Sequence, residues 1–121
     1  MTDRRVVLVT CSSEEEASRI ARALVSARLA ACVNILDSPV RSIYRWKGRV
    51  ETAQEYLLVI KTRRARLRAL EAAVKALHSY DTPEIIALPI AEGSRPYLSW
   101  LDDSVKPEPK SARRRTSRSR S

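Results

Sequence analysis

Glycine and histidine are scarce in this sequence and phenylalanine is absent: the 121 residues include two glycines, one histidine and two cysteines. Gly48 and Gly93 are too far apart to form a glycine-rich phosphate loop, which needs closely spaced glycines for its tight turn. Cys11, Cys32 and His78 are too few to build a four-ligand structural zinc site. The sequence therefore excludes Rossmann and P-loop nucleotide binding as well as structural zinc.

Long apolar runs are also lacking. No stretch approaches the ~20 consecutive apolar residues of a membrane-spanning helix. The apolar run after residues 2–5 is too short for the hydrophobic region of a secretory signal. With 31% charged and 44% hydrophobic residues, the composition is typical of a globular domain. We therefore predict a cytoplasmic protein with no membrane insertion.

Positive charge is concentrated at the C-terminus. The net charge is +9, and residues 106–121 contain seven lysines and arginines against one glutamate. This segment has no large apolar residue to bury, so we predict a disordered basic tail at 106–121 after a folded domain at 1–105. Such a tail, without aromatic rings, is expected to contact nucleic acid electrostatically and nonspecifically. A solubilising extension is the alternative.

Hydrophobic periodicity predicts an α+β domain. Ser13 and Glu16 form a capping box that starts a helix, in which Ser13 accepts from the third helical amide and Glu16 reaches back. Lys47-Gly48 predicts a two-residue hairpin turn. The predicted elements are a strand at 6–9, a helix from 14, extended segments at 30–36 and 40–46 broken near Pro39, a strand at 50–62, a helix at 65–77, a strand at 84–90 and a short helix near 97–101.

The order βαββαβ followed by a short C-terminal helix is that of the ferredoxin-like fold, with two helices on one face of an antiparallel sheet. The other face is left bare, and the hairpin exposes further apolar surface that an oligomer would cover. We therefore predict self-association. The predicted interface residues are aromatic: Tyr44, Trp46, Tyr56 and Trp100. Stacking on a nucleobase is the alternative role for three of these rings, those of Tyr44, Trp46 and Trp100.

Several sequence blocks, taken together and in order, resemble the CutA divalent-cation tolerance proteins. The blocks are Leu29–Asn34, Ser42–Gly48, Glu55 with Lys61-Thr62, His78–Ile86 and Tyr97–Trp100, and the resemblance covers roughly residues 5–103. It implies a homotrimer with a ferredoxin-like fold similar to that of the PII signalling proteins. It also implies a link to copper and other divalent cations, and it brings no established reaction with it.

The same resemblance bears on the metal ligands. Some copper-associated members have a cysteine in the first strand and a second histidine just before the H-x-Y motif. Val9 and Leu77 occupy those positions here, so His78 is the residue retained from that arrangement.

His78 is the centre of the predicted metal site. Asp81 and Glu84 follow it closely enough to share a turn, and an imidazole with carboxylates suits zinc or copper. We predict that these three residues bind copper or another divalent cation weakly. The favoured alternative for a lone histidine at this position is capping of the second helix.

Two functions follow from these observations. The leading one is a non-enzymatic trimer that acts in divalent-cation tolerance, by weak metal binding or by relaying a signal to a protein partner. No nucleophile, base and orienting group occur at a meaningful spacing, so an enzyme is not expected. The alternative is a PII-like signalling module in which Lys61, Arg63 and Tyr80 bind a small ligand or anion in clefts between subunits.

The two cysteines are predicted to be structural. Cys32 lies in an apolar strand and is expected to be buried as a small hydrophobic residue. Cys11 lies at a strand-to-helix turn and is the more reactive candidate, because a helix N-terminus stabilises a thiolate. The glutamates at 14–16 oppose that ionisation.

Overall fold

The computed structural model describes residues 3–107, so the predicted basic tail lies outside the described residues from residue 108 onward. The elements in chain order are β1 (Arg4–Cys11), α1 (Glu14–Ser26), β2 (Cys32–Ile35), β3 (Val40–Trp46), β4 (Arg49–Arg63), a 3₁₀ turn (Arg64–Arg66), α2 (Leu67–Leu77), β5 (Ile85–Pro89) and α3 (Arg95–Ser104). The predicted α+β order is confirmed, with β2 and β3 together forming the predicted second strand. Within this described part, none of the helices has the length and apolar character needed to span a membrane.

The sheet is antiparallel throughout its described pairs. Strand β1 lies between β4 and β5, and β2 pairs with the other edge of β4. This strand order, β2–β4–β1–β5, is the one expected for a ferredoxin-like fold. Strand β4 has 15 residues, long enough to pair with β2 through its second half and with β3 through its first.

The hairpin formed by β3 and β4 has the predicted two-residue turn. Lys47 and Gly48 have φ angles of 51° and 78°, and Trp46 pairs with Arg49 across them. Two consecutive positive φ angles are typical of the type I′ turn, whose twist matches that of the flanking strands. The chain leaves the β2 strand before Pro39 and re-enters a strand at Val40, as the sequence predicts.

Helices α1 and α2 pack on one face of the sheet. Alternate residues of β1 and β4 point toward the helices because side chains alternate along a strand. The fully buried side chains of this core include Val7, Val9, Cys11, Ile20, Leu24, Leu58, Ile60, Leu70 and Val74. Cys11 is therefore part of the core, at the end of β1 that leads into α1.

The start of α1 confirms half of the predicted capping box. The Ser13 hydroxyl accepts a hydrogen bond from the Glu16 amide at 3.1 Å. The Glu16 carboxylate accepts from the Ser12 amide at 3.3 Å and, across the fold, from the Ser79 amide at 2.7 Å. Glu16 therefore joins α1 to the segment that follows α2.

A bidentate ion pair joins helix α3 to β1. Arg4 donates through Nε and Nη2 to the two carboxylate oxygens of Asp102, at 3.1 and 2.8 Å. The hydrogen bond from the Arg4 guanidinium holds the pKa of Asp102 below its usual value. A small second core of Ala31, Leu101 and Val105 lies under this helix.

Candidate functional site

His78 is the C-cap residue of α2, and its side chain is fully buried. Its Nε2 lies 2.7 Å from the carbonyl oxygen of Thr10, so Nε2 carries the hydrogen and donates it. Its Nδ1 accepts from the amide of Tyr80 at 3.0 Å. Both ring nitrogens are therefore engaged, and the two hydrogen bonds select the tautomer with its hydrogen on Nε2.

Cys11 and Glu16 lie beside His78. The potential ligand atoms of these three side chains all lie within 4.8 Å of one another. Glu16 Oε1 is 4.0 Å from His78 Nδ1, and both Cys11 and Glu16 are buried. We call this group the Cys–Glu–His cluster. A thiolate, a carboxylate and an imidazole are the ligand types that zinc takes in proteins.

Burial and hydrogen bonds together set the ionisation of Cys11 and Glu16 in the cluster. It raises the pKa of the Cys11 thiol from 9.0 to about 12, with the negative charges of Glu16 and Glu55 adding to the shift. Burial also opposes the ionisation of Glu16, but hydrogen bonds from Ser79 and Ser12 lower the pKa of that carboxyl below its usual value. At neutral pH the cluster therefore holds a thiol and a carboxylate.

The cysteine predictions need two corrections. The prediction that Cys11 is the more reactive thiol is wrong, because burial and the charges of Glu16 and Glu55 raise its pKa and keep the thiol protonated. Cys32 as a buried residue is also wrong, because it is only half-buried on β2, with its Sγ 3.6 Å from the Tyr97 hydroxyl. The structural role predicted for Cys11 agrees with its place in the core.

The donor types of the cluster suit zinc or copper, but its donor atoms are already occupied. A metal ion at Nδ1 must displace the Tyr80 amide, and an ion at Glu16 competes with the Ser79 amide. The Cys11 thiol must also lose a proton from a group with a pKa of about 12. The residues therefore fit a weakly bound divalent cation rather than a tight centre.

A cleft of about 680 Å³ opens next to the cluster, between the β3–β4 hairpin and the segment after α2. We call it the hairpin cleft. Its lining residues are Thr10, Ser42, Ile43, Tyr44, Trp46, Glu55, Tyr80, Asp81, Thr82, Pro83 and Glu84. The main chains of Thr10 and Tyr80 bond to the His78 ring, so the cluster lies directly behind the cleft wall.

Tyr80 connects the two regions. Its ring lies 4.8 Å from the His78 ring, centroid to centroid. Burial raises the pKa of Tyr80 to about 12, and the hydrogen bond from its hydroxyl to the Glu55 carboxylate adds to the shift. The Tyr80 hydroxyl is thus a neutral donor on the cleft wall.

The structure separates the predicted metal ligands into two neighbouring places. His78 lies in the buried cluster, whereas Asp81 and Glu84 are exposed and line the hairpin cleft. The predicted anion-binding residues are also separated. Tyr80 lines the cleft, Lys61 bonds to the side chain of Asn34, and Arg63 pairs with acidic side chains.

The predicted interface residues lie in three different parts of the structure. Tyr44 and Trp46 line the cleft and are 43% and 49% exposed. Trp100 is 46% exposed on α3, where its ring packs against Tyr97. Tyr56 packs against the main core.

Sequence reasoning missed Glu16 and Cys11 as neighbours of His78. The contact from Glu16 to Ser79 spans 63 residues, and no local pattern encodes it. The available sequence signal was the capping-box position of Glu16, the third glutamate of the run 14–16. In the structure Glu16 is 4% exposed, whereas Glu14 and Glu15 are exposed.

Glu16→Gln should flatten the acid side of the stability profile. The pKa of Glu16 is lowered in the folded state. Its ionised carboxylate therefore stabilises the fold at pH values above the usual pKa of 4.5, and this stabilisation is lost as pH falls through the lower folded-state pKa. Urea unfolding of the wild type between about pH 3 and 7 should therefore show a steeper acid loss than that of the variant. Glu15→Gln, at an exposed position, is the control. Parallel profiles for wild type and Glu16→Gln would contradict this assignment.

Comparison with known proteins gives consistent matches. The model of the family described as "CutA1 divalent ion tolerance protein" matches residues 5–104. The "Divalent-cation tolerance protein CutA" of Thermus thermophilus is 57% identical over 100 residues, which cover 83% of this chain and 96% of that protein. "Protein CutA 1, chloroplastic" of rice is 50% identical over 101 residues, covering 84% of this chain and 56% of the rice protein.

Solved structures agree with these sequence matches. The Thermus thermophilus divalent cation tolerance protein superposes with a TM-score of 0.83 at 54% identity, covering 85% of this chain and 99% of that one. A structure from Archaeoglobus fulgidus, described as a periplasmic divalent cation tolerance protein, gives 0.82 at 42% identity, with 85% and 99% coverage. At these identities, sequence and fold point to the same relatives.

Proposed function

The chain belongs to the CutA1 divalent ion tolerance protein family, and we propose that it acts in divalent-cation tolerance by binding such cations weakly at the Cys–Glu–His cluster. The observation that carries the proposal is the convergence of three ligand atoms of suitable type within 4.8 Å. Copper and zinc are the cations that this donor set suits best. Asp81 and Glu84, in the adjoining cleft, stay predicted ligands for a cation that approaches from solvent.

Weak binding follows from the bonds that the cation must replace. Each ligand atom of His78 and Glu16 would give up a backbone hydrogen bond, and Cys11 would give up a proton. Because the Cys11 pKa is about 12, the thiolate population rises about tenfold with each pH unit below that value. Cation affinity at this cluster should rise in the same proportion.

Calorimetric titration of Zn²⁺ and Cu²⁺ into the full chain tests the proposal, in a non-chelating buffer without reductant at pH 7 and pH 8. We expect weak, saturable binding that tightens about tenfold over that unit. Cys11→Ala should abolish the pH dependence, and Cys32→Ala is the matched control that keeps it. Binding that is absent, or unchanged in Cys11→Ala, would contradict a cluster site.

A non-enzymatic role is part of the proposal. Catalysis by a cysteine or histidine needs a thiolate or a free imidazole nitrogen positioned toward a substrate. In the Cys–Glu–His cluster the thiol is protonated and both imidazole nitrogens are bonded to the main chain. These contacts support a structural and binding role for the cluster.

We also propose a homotrimer, as the resemblance implies. Large apolar side chains on the hairpin and on β5 support it: Ile43 and Val50 are each 66% exposed, and Ile86 and Leu88 are 49% and 45% exposed. Exposed apolar surface of this kind is typical of a subunit interface. Light scattering should give three times the chain mass of 13.7 kDa. A particle with the mass of a single chain at micromolar concentration would contradict the trimer.

The remaining expectations stay predictions. Lys61 and Arg63 lie outside the residues that line the hairpin cleft, so the contacts of the described residues do not favour the anion-binding alternative. A protein partner, and nonspecific nucleic-acid contact through the basic tail, both depend on surfaces or residues beyond the cluster. The cytoplasmic location also stays a prediction, since two relatives are described as chloroplastic and periplasmic.

A further inference from the structure

We infer that the folded domain binds the phosphate backbone of nucleic acid through an arginine surface at the start of α2. We define this surface by Arg64 and Arg66 on the 3₁₀ turn and Arg68 in the first turn of α2. Arg64 and Arg68 are exposed, and Arg66 is partly buried. The arginine surface lies at the opposite end of α2 from His78, so it is independent of the Cys–Glu–His cluster.

The positive charge of the arginine surface is not balanced by neighbouring carboxylates. Among residues 3–107, neither Arg64 nor Arg68 has an ion-pair partner or a side-chain hydrogen bond. Glu71, one turn further along α2, pairs with Lys75. The other carboxylates at this end of the domain are paired with other cations, in the pairs Asp3–Arg63, Asp102–Arg4 and Asp103–Lys106. The guanidinium groups of Arg64 and Arg68 are therefore available to an external anion.

The position of these arginines is unfavourable for the helix itself. The first turn of a helix carries a partial positive charge, which favours acidic side chains and disfavours basic ones. Helix α1 follows this rule with three glutamates in its first turn, whereas α2 has no acidic residue in its first turn and no side-chain cap. Basic side chains that oppose the local helix dipole without a compensating contact indicate a function other than folding.

The described chain ends beside the arginine surface. Arg66 donates through Nε to the Arg28 carbonyl oxygen at 3.2 Å, and Arg28 donates through Nη1 to the Lys106 carbonyl oxygen at 3.4 Å. The fourteen residues at 108–121 contain six lysines and arginines and one glutamate. A chain of that length can span up to about 48 Å, the length of about 14 base pairs of duplex DNA. The surface and the tail together match an extended polyanion better than a small anion.

The basic groups identify the class of polyanion. A guanidinium group can donate two parallel hydrogen bonds to one phosphate, and five of the six basic residues at 108–121 are arginines. Duplex DNA carries one phosphate charge about every 1.7 Å along its axis, so several arginines can be engaged at once. Helices that bind membrane surfaces pair their basic face with leucine, phenylalanine or tryptophan, and residues 108–121 contain none of these. These features favour nucleic acid over a lipid surface.

The arginine surface stays accessible in the proposed trimer. Ile86 of β5 pairs with Leu8 of β1, whose neighbours Val7 and Val9 belong to the core beneath α1 and α2. Because side chains alternate along a strand, Ile86 lies on the face of the sheet that points away from these helices. The apolar side chains that support the trimer are thus on the hairpin and on that face, whereas the arginine surface is on the helix side. A trimer would present three such surfaces to one nucleic acid and gain affinity from their simultaneous binding.

Fluorescence anisotropy with a labelled DNA duplex of about 30 base pairs tests this inference on the full chain. We expect saturable binding that weakens as NaCl rises from about 0.05 to 0.3 M, because binding releases counterions from the phosphates. Arg64→Gln/Arg68→Gln should lower the slope of log affinity against log salt by about two, and should weaken binding at least about tenfold near 0.1 M NaCl. Absence of saturable binding would overturn the inference.

Arg19→Gln/Arg95→Gln is the matched control, because it removes the same charge from two exposed positions on α1 and α3. Its effect on DNA affinity should stay within about threefold, as expected for charges that make no phosphate contact. Equal weakening by the two double variants would show that only net charge matters. That outcome would overturn a site at the start of α2.

A tail-neutralised chain separates the folded surface from the tail. It has glutamine in place of the five arginines of the tail: Arg113, Arg114, Arg115, Arg118 and Arg120. We expect this chain to bind the duplex more weakly but still to lose affinity on Arg64→Gln/Arg68→Gln. If it does not bind at about 0.05 M NaCl, or if the double variant then has no effect, the tail alone makes the contact and the inference is overturned.

Two further measurements test the class of partner and the role of the arginines. Tighter binding of polyglutamate, or of vesicles containing phosphatidylserine, than of the duplex would assign the surface to an acidic protein or a membrane and overturn the inference. Urea unfolding of Arg64→Gln/Arg68→Gln should show a stability equal to or above that of the wild type, because both charges oppose the α2 dipole. A less stable double variant would mean that these arginines support the fold and would also overturn it.

Discussion

The thiol of Cys11 should react with a disulfide reagent at least about 30-fold more slowly in the folded protein than in the denatured chain. Burial raises its pKa from 9.0 to about 12, which lowers the thiolate population about a thousandfold at pH 8. A more basic thiolate is a better nucleophile, and this recovers roughly half of the loss on a logarithmic scale. The side chain is also fully buried, so access slows the reaction further.

The measurement uses the Cys32→Ala chain, in which Cys11 is the remaining thiol, and compares reaction with 5,5′-dithiobis(2-nitrobenzoate) in buffer and in guanidinium chloride at pH 8. Cys11→Ala is the control, because it leaves the half-buried thiol of Cys32. Similar native and denatured rates for the Cys32→Ala chain would show that Cys11 is ionised or accessible. That result would also remove the reason for expecting weak, pH-dependent cation binding.

Most of the fold follows from local sequence signals. The Lys47-Gly48 turn is predictable because a two-residue hairpin loop with positive φ at both positions favours glycine at one of them. Helix α1 is predictable because Ser13 caps it and its apolar residues recur at helical spacing. Such signals depend on residues within one turn of each other, which is why element type and order are predictable here.

The candidate site follows from the sequence only in part. His78 is identifiable as the single histidine, and the resemblance to a family marks the segment around it. Its neighbours Cys11 and Glu16 come from β1 and α1, more than 60 residues earlier in the chain. Pairings at that distance are set by how strands and helices pack, and a single sequence has no local pattern that records them.

The grouping of aromatic and acidic residues in the hairpin cleft also depends on packing. Trp46 lies near the tip of the hairpin, Glu55 lies further along β4, and Asp81 follows α2. From the sequence, Trp46 is assigned to an interface and Asp81 to metal binding, and Glu55 belongs only to the blocks that carry the family resemblance. The hairpin and the segment after α2 lie side by side in the folded chain, and this brings the three residues to one cleft.

His78→Ala should lower the free energy of unfolding by about 2–4 kcal/mol, even when every divalent cation has been removed by a chelator. The His78 side chain is fully buried and bonds to the main chain on both sides, at the Thr10 carbonyl and the Tyr80 amide. Its removal leaves a buried acceptor and donor without their partner and creates a cavity. Urea unfolding at one fixed chain concentration, with and without EDTA, measures the effect.

Lys75→Ala is the control for this prediction, because Lys75 lies in the last turn of the same helix and its side chain makes an exposed ion pair with Glu71. Its effect should stay within about 0.5 kcal/mol. If the role of His78 were metal ligation alone, EDTA would make the His78→Ala and wild-type proteins equally stable. A loss that persists in EDTA instead means that the imidazole already has a structural function, joining β1 to the end of α2. Any cation that the cluster binds must then compete with those structural bonds, which is the physical basis of its weak affinity.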